Sequence, residues 1–315
     1  MSEATDGAPL RPLGRTGIHI SPIGLGAWQW GDRLFWSYGS THQQDDVRQA
    51  FDVSLAAGVN WIDTAEVYAN GTSERLLGTF LRESPRRVIV ATKFMPFPWR
   101  PRQKDLLRAL RRSLDRIGVA SIDLYQIHQP LPPVAVRTWM DALAEAQALG
   151  LVRAVGVSNY SLDKMQEAAE ALSRHGLPLA SNQVRFSLLA REPETSGLLA
   201  ACLQHGITLI AYSPLAQGWL TGKYDSRNRP AGVRRWMGRR LPPDRMERLI
   251  GLLREIGREQ AGKTPAQVAL NWVIAKGAVA IPGAKNAAQA TENAGTLGWQ
   301  LSAQEVAALD EAAAT

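Results

Sequence analysis

The chain is poor in the residues that stabilise small secreted folds or hold metals. It has 1 cysteine in 315 residues, so no internal disulfide can form, and a reducing cytoplasm is the expected compartment. That thiol, Cys202, falls in a helical pattern and is expected to be a small buried residue. No Cys/His cluster has metal-ligand spacing. No uninterrupted apolar run reaches about 18 residues, so no membrane span is expected. The opening MSEATDGAPL carries acids and lacks both a basic and an apolar segment, so it does not read as a secretory signal. The glycine fingerprint of an open nucleotide-binding sheet is incomplete as well. Gly24-Leu25-Gly26-Ala27-Trp28-Gln29 lacks the third glycine of GxGxxG.

Charge of one sign is only mildly in excess, with 36 Lys and Arg against 29 Asp and Glu and a net charge of +7. The cations are spread over helical segments rather than interleaved with aromatics, so nucleic acid is not the expected partner. A local excess serving an anionic small molecule fits better. What is present is ordinary for a large core: 45% hydrophobic and 21% charged residues. Length alone allows two domains, yet α/β barrels of this size form one.

The alternation of patterns settles between these. After a tail over 1–9, Leu10–Ser21 reads as a small hairpin around Gly14 and Gly17. Short apolar, strand-like runs follow at Ile23–Ala27, Val59–Ile62, Val88–Thr92, Ile122–Ile127, Ala154–Val157, Leu179–Val184, Thr208–Tyr212 and Ala278–Ile281. Helical periodicity separates them, over Gln44–Ala57, Ser73–Leu81, Gln103–Ile117, Pro133–Leu149, Ser161–His175 and Glu194–His205, several closed by a glycine. Beyond an irregular segment, 213–243, come helices at Arg245–Glu259, Pro265–Lys276, Ala287–Leu297 and Ala303–Glu311. Eight β/α units on one chain predict a single (β/α)8 barrel over 10–315, with the hairpin in front and extra helices at the C-terminus.

A closed parallel barrel gathers all its strand C-termini on one face. Asp63 and Tyr68 follow the second run, Lys93 the third and His128 the fourth. Each has a bland explanation alone: a loop anchor, a solvated strand end, a satisfied histidine. Together they form a proton-transfer group suited to reducing a carbonyl. A phenol of pKa about 10 is too weak an acid at neutral pH unless its anion is stabilised. Lys93 is expected to lower it, Asp63 to orient Lys93, and His128 to polarise the same carbonyl oxygen. No side chain supplies a hydride, so a nicotinamide is required on that face.

The segments Asp63-Thr64-Ala65-Glu66-Val67-Tyr68, Lys93, Gln126-Ile127-His128, Gly156-Val157-Ser158-Asn159, Tyr212-Ser213-Pro214-Leu215 and Ile281-Pro282-Gly283-Ala284 resemble the aldo-keto reductase superfamily, in order along nearly the whole chain. The resemblance implies an NADPH-dependent barrel with Asp63, Tyr68, Lys93 and His128 as its catalytic tetrad. Within the superfamily, the stretches around Trp28–Trp36 and Tyr212–Tyr224 look most like pyridoxal-reductase-like members of bacteria and plants. The family pattern places the nicotinamide carboxamide near Ser158, Asn159 and Gln183, with Tyr212 stacked on the ring. Ser213, Leu215, Gln217, Gly218 and Leu220 would follow the pyrophosphate, and Lys223 adds charge. Past the turn holding Gly283, Lys285 at a helix start suits the 2′-phosphate of NADPH. Gln289, Glu292 and Asn293 would hold the adenosine end. Some branches of the family carry an arginine where Gln289 stands, so the preference for NADPH rests chiefly on Lys285.

Arg227, Arg229, Arg234, Arg235, Arg239 and Arg240 make the irregular segment a candidate flap over the anionic cofactor, or a solvated loop. Trp28, Trp30, Trp36 and Trp99, with Phe35, Met95 and Phe97, are expected to form an aromatic mouth, one or two of them packing inward instead. The expected partner is a small-molecule carbonyl substrate and the expected state a monomer, with neither nucleic acid nor membrane. Two other readings stay open: a cofactor-binding regulatory subunit of the kind some superfamily members form on potassium channels, and a Schiff-base lyase using Lys93.

Overall fold

The computed structural model describes residues 9–224 and 242–314. The six arginines of the candidate flap lie outside them, as does the tail before Pro9. The first strands, β1 (Arg11–Pro12) and β2 (His19–Ile20), pair antiparallel as the expected hairpin. Eight further strands run parallel in chain order: β3 (Leu25–Gly26), β4 (Trp61–Asp63), β5 (Ile89–Phe94), β6 (Ile122–Ile127), β7 (Val152–Ser158), β8 (Ser181–Arg185), β9 (Thr208–Tyr212) and β10 (Val279–Ile281). Parallel bridges Ile23↔Ala280 and Gly26↔Gly283 join the two end strands, so the sheet closes on itself. This is the predicted barrel.

The hairpin has a packing role. Its Leu13, Ile18 and Ile20 are buried with Trp61, Leu124, Ile210 and Val279 inside the barrel. The Trp61 indole N–H donates to the Ser21 carbonyl at 3.0 Å, satisfying the one polar atom of that large ring. Room for it comes from Gly24, where a Cβ would stand 2.4 Å from the Trp61 ring. The low bulk of the first strand therefore serves the filling of the barrel floor. The second and larger cluster lies between the strands and the surrounding helices.

Cross-strand pairing corrects several bounds. Ile122 of β6 pairs with Val152, so β7 starts before the run at 154. Lys93 pairs with Gln126 inside the sheet, so it lies within β5 rather than after it. The helix expected over 133–149 spans Val136–Ala148. The helix expected over 194–205 is two, Glu192–Thr195 and Leu198–His205, parted by Gly197 at φ 77°, a backbone setting open to glycine. Cys202 is buried, and burial pushes its thiol up to about 12.

Candidate active site

β4 and β5 bring the first three residues together. Asp63 ends β4, and Lys93, fully buried, reaches its Oδ1 with Nζ at 2.5 Å. The same ammonium donates to the Thr64 carbonyl at 2.8 Å and approaches the Tyr68 phenolic oxygen at 3.4 Å. Tyr68 opens a turn in which Ala69 (φ 47°), Asn70 (φ 53°) and Gly71 (φ 80°) all adopt left-handed backbone. Such settings cost energy in non-glycine residues and gather where function over-determines the backbone. Behind the turn, the Glu66 carboxylate accepts from the Met95 amide at 2.9 Å and from Arg100 at 2.7 and 3.2 Å. That clamp ties the Tyr68 loop to the loop after β5.

Burial raises the Tyr68 phenol, and the Lys93 ammonium only partly pulls it back, so the net direction is up. The sequence expectation of a lowered phenol is thus corrected: in the free site desolvation outweighs the ammonium. A phenol held protonated is what an acid for carbonyl reduction needs. For Lys93, burial acts to lower the pKa, and the Asp63 carboxylate with the Tyr68 oxygen more than offsets it, leaving the group raised and charged.

His128 follows β6 directly, its amide donating to the Phe94 carbonyl at 2.8 Å. Its ring meets the Tyr68 ring edge-on with centroids 5.8 Å apart. Burial, then the Lys93 charge, push its pKa down to about 3, so the imidazole is neutral. Nδ1 is buried without a partner among the described residues. A buried donor without an acceptor is costly, which favours placing the single proton on Nε2. The unfolded histidine protonates near about 6.5, the folded one near about 3. Between those values the unfolded chain binds more protons, so stability present at neutral pH is lost on acidification, about 3 kcal/mol of it by pH ~4. Thermal unfolding from neutral to acid pH should show this loss, and His128→Gln should reduce it. Equal acid sensitivity in both proteins sinks the assignment.

A cleft of about 810 Å³ opens above these residues, at the large end for small-molecule sites. Asp63, Tyr68 and His128 line it, while Lys93 stands behind Asp63. Of the residues expected to hold cofactor, Ser158, Asn159, Gln183, Tyr212, Ser213, Leu215, Gln217, Gly218, Lys223, Gly283, Lys285, Gln289, Glu292 and Asn293 line the same cleft. Leu220 does not: it is fully buried in the core. Asn159 joins two walls, donating to the His128 carbonyl at 3.0 Å and accepting from the Tyr212 hydroxyl at 2.9 Å. Asn159, Ser213 and Gln217 all have positive φ, and the Gln217 Oε1 is a buried acceptor without a partner among the described residues. Two ammonium groups, Lys223 and Lys285, with the Asn286-capped start of helix Ala287–Ala294, give the cleft cationic character. These features fit an anionic dinucleotide.

The aromatic mouth is smaller than expected. Trp28 stacks on Phe35 (centroids 5.0 Å) and meets Trp36 edge-on (5.4 Å); both tryptophans line the cleft. Trp30 does not reach it: it is 0% exposed, packs on Phe80 and donates from its indole to the Ala284 carbonyl. Trp99 lies outside it too, 74% exposed and stacked on Phe97. Trp30→Ala should therefore destabilise the fold by about 3–5 kcal/mol, whereas Trp99→Ala should leave both Tm and substrate KM unchanged. Denaturant unfolding and steady-state kinetics check the pair; a raised KM in the Trp99 variant would return that residue to the mouth.

Thr41, Gln129, Thr221 and Tyr224 also line the cleft; the first two went unnoticed in the sequence, and the last two entered only within the stretch Tyr212–Tyr224. They are small or polar loop residues with no periodicity to expose them. Gln126 was noticed only as part of a motif, yet its amide lies against Asp63.

Fold and site together give a parallel barrel with Asp63, Tyr68 and His128 in a cationic cleft at one rim and Lys93 behind them, an arrangement suited to an oxidoreductase. A model of the Aldo/keto reductase family matches residues 22–314. Pyridoxal reductase, chloroplastic, of Arabidopsis thaliana is 41% identical over 309 residues, 94% of this chain and 84% of that protein. L-glyceraldehyde 3-phosphate reductase of Escherichia coli K12 is 31% identical over 327 residues, 96% of this chain and 91% of that protein. An aldo/keto reductase from Klebsiella pneumoniae, solved in complex with NADP and acetate, superposes with a TM-score of 0.75 at 28% identity over 95% of this chain and 94% of that one. The chain belongs to the aldo/keto reductase family.

Proposed function

We propose that this protein reduces flat aromatic aldehydes to alcohols with NADPH, and that pyridoxal is among its substrates. Family membership makes it an NADP-dependent oxidoreductase. The narrower reading rests on Trp28, whose ring stands 6.4 Å from that of Tyr68 at 33° and is backed by Phe35. A planar ring stacked along Trp28 would carry an attached carbonyl towards the phenol. The similarity to pyridoxal reductase supports the same substrate class.

The chemistry that NADPH would supply when bound is a hydride for the carbonyl carbon. The protein does the rest. Tyr68 gives its phenolic proton to the carbonyl oxygen, and Lys93, 3.4 Å away, stabilises the phenolate left behind. Asp63 holds that ammonium in place. Neutral His128 donates from Nε2 to the same oxygen, which fixes the carbonyl and favours the charge that develops there. Of the residues lining the cleft, Ser158, Asn159, Gln183 and Tyr212 would seat the nicotinamide; Ser213, Leu215, Gln217, Gly218 and Lys223 would follow the pyrophosphate; Gly283, Lys285, Gln289, Glu292 and Asn293 would hold the adenosine and its phosphate. Lys285 already donates to the Trp36 carbonyl at 3.0 Å, so the aromatic wall and the anion end share one ammonium.

The test is NADPH oxidation with pyridoxal, substituted benzaldehydes and short aliphatic aldehydes. Aromatic aldehydes should exceed aliphatic ones in kcat/KM by tenfold or more, about the worth of one stacked ring. Equal values overturn the aromatic preference, and no oxidation with any carbonyl overturns the reductase reading.

A further inference from the structure

Gln126 faces the barrel interior between Lys93 of β5 and Gly156 of β7, its neighbours in register. It is 0% exposed. Its Nε2 donates to Asp63 Oδ2 at 3.3 Å, and its Oε1 accepts from Gln183 Nε2 at 3.4 Å. Gln183 Nε2 also donates to the same Asp63 oxygen at 2.8 Å. The side chain has little freedom, since a Cβ on Gly156 would stand 3.1 Å from Gln126 Cγ and 2.4 Å from Ser181 Oγ.

The orientation of both amides follows from the carboxylate. An ionised carboxylate only accepts hydrogen bonds, so Gln126 must turn its NH2 towards Asp63 and its oxygen away. That oxygen accepts from Gln183, so the Gln183 NH2 is committed to Asp63 and Gln126 together. The remaining end of Gln183, its carbonyl oxygen, is left for the cleft that the residue lines.

We propose that Gln126 is a positioning residue: by holding Asp63 Oδ2 and the Gln183 amide at once, it fixes the angle at which Gln183, whose NH2 Asp63 already claims, presents its carbonyl oxygen to the bound cofactor. The catalytic ion pair and the cofactor floor are thereby joined by one buried amide. This rests on the site reading above, and the two fail separately. Parent protein that does not bind NADPH overturns both; normal parent binding with unaffected variants overturns this proposal alone.

Gln126→Leu keeps the volume and removes both polar ends, leaving the Gln183 amide held by Asp63 alone and able to swing about that one bond. NADPH titrated by fluorescence should bind about tenfold more weakly, with a smaller change in kcat. A side chain that only filled space would leave that affinity untouched. Gln126→Glu keeps the shape but sets a second carboxyl against Asp63, where like charges disfavour ionisation. At mildly acid pH the protonated acid can still donate to Asp63, and NADPH affinity should approach the parent's. As pH rises and the group ionises, affinity should fall in this variant and not in the parent. Affinity within twofold of the parent for Gln126→Leu overturns the proposal. If that variant does not fold, Gln126→Glu decides: a pH dependence matching the parent's overturns it.

Discussion

Tyr68→Phe should lose roughly 1,000-fold in kcat for aldehyde reduction while binding NADPH as the parent does and melting at nearly the same temperature. The substitution removes one oxygen whose hydrogen bond among the described residues is a long 3.4 Å approach from Lys93. The ring keeps its packing against Trp28 and His128. Little stability should therefore be lost, and the cleft residues expected to hold NADPH are untouched. What disappears is the proton donor. The Lys93 ammonium stands behind the phenol, anchored to Asp63 at 2.5 Å and to the Thr64 carbonyl at 2.8 Å, and is not placed to reach a substrate oxygen in its stead. Neutral His128 can still donate a hydrogen bond, but losing a proton outright would leave an imidazolate, which the protein offers nothing to stabilise. Steady-state kinetics with pyridoxal, alongside NADPH titration and a melting curve, check the three parts together. A variant keeping a tenth of the parent rate would move the acid role away from Tyr68. A large fall in Tm would reduce the kinetic loss to misfolding.

The tetrad was legible in the sequence for a topological reason. A barrel brings successive strand ends to one rim, so Asp63, Tyr68, Lys93 and His128 could be placed together by counting strands, before any contact was known. The family resemblance, rather than spacing, added Ser158, Asn159, Gln183 and Tyr212 to the same face. Facing was harder to read where no periodicity exists. Trp28, Trp30 and Trp36 share one loop, and nothing in their spacing says that Trp30 turns inward onto Phe80 while Trp28 and Trp36 face the cleft. Leu220 sits among cleft residues in sequence and in the core in space. Strand bounds followed partners: β7 reaches Val152 because Ile122 pairs with it. The direction of the Tyr68 shift was misread for an electrostatic reason. The ammonium was visible in the sequence, but the burial that outweighs it exists only once the barrel has closed. Gln126 belongs with these: it was read as part of a strand and a motif, and its tie to Asp63 and Gln183 shows only in the folded barrel.

Lys93→Met should be the most destabilising single change at the site, by about 3–5 kcal/mol, and it should be partly repaired by a second one. The pair is buried, with Lys93 at 0% and Asp63 at 2% side-chain exposure. Removing the ammonium leaves the carboxylate facing, among the described residues, only the amides of Gln183 and Gln126 at 2.8 and 3.3 Å. Those donors are neutral and cannot replace a charge in a dry site. The melting temperature should fall by roughly 10 °C for a chain of this size. Adding Asp63→Asn removes the uncompensated charge and restores a neutral amide of nearly the same shape. Much of the lost stability should return, because an absent ion pair costs less than half of one. Activity should not return, since nothing then stabilises the phenolate of Tyr68. Thermal unfolding of the two single variants and the double variant, read beside their kcat, separates the contributions. A double variant as unstable as Lys93→Met would mean that the lysine's aliphatic packing, and not its charge, holds the site together. A stable, inactive double variant would show that this buried pair is kept for chemistry, at a net cost or near-neutrality for the fold.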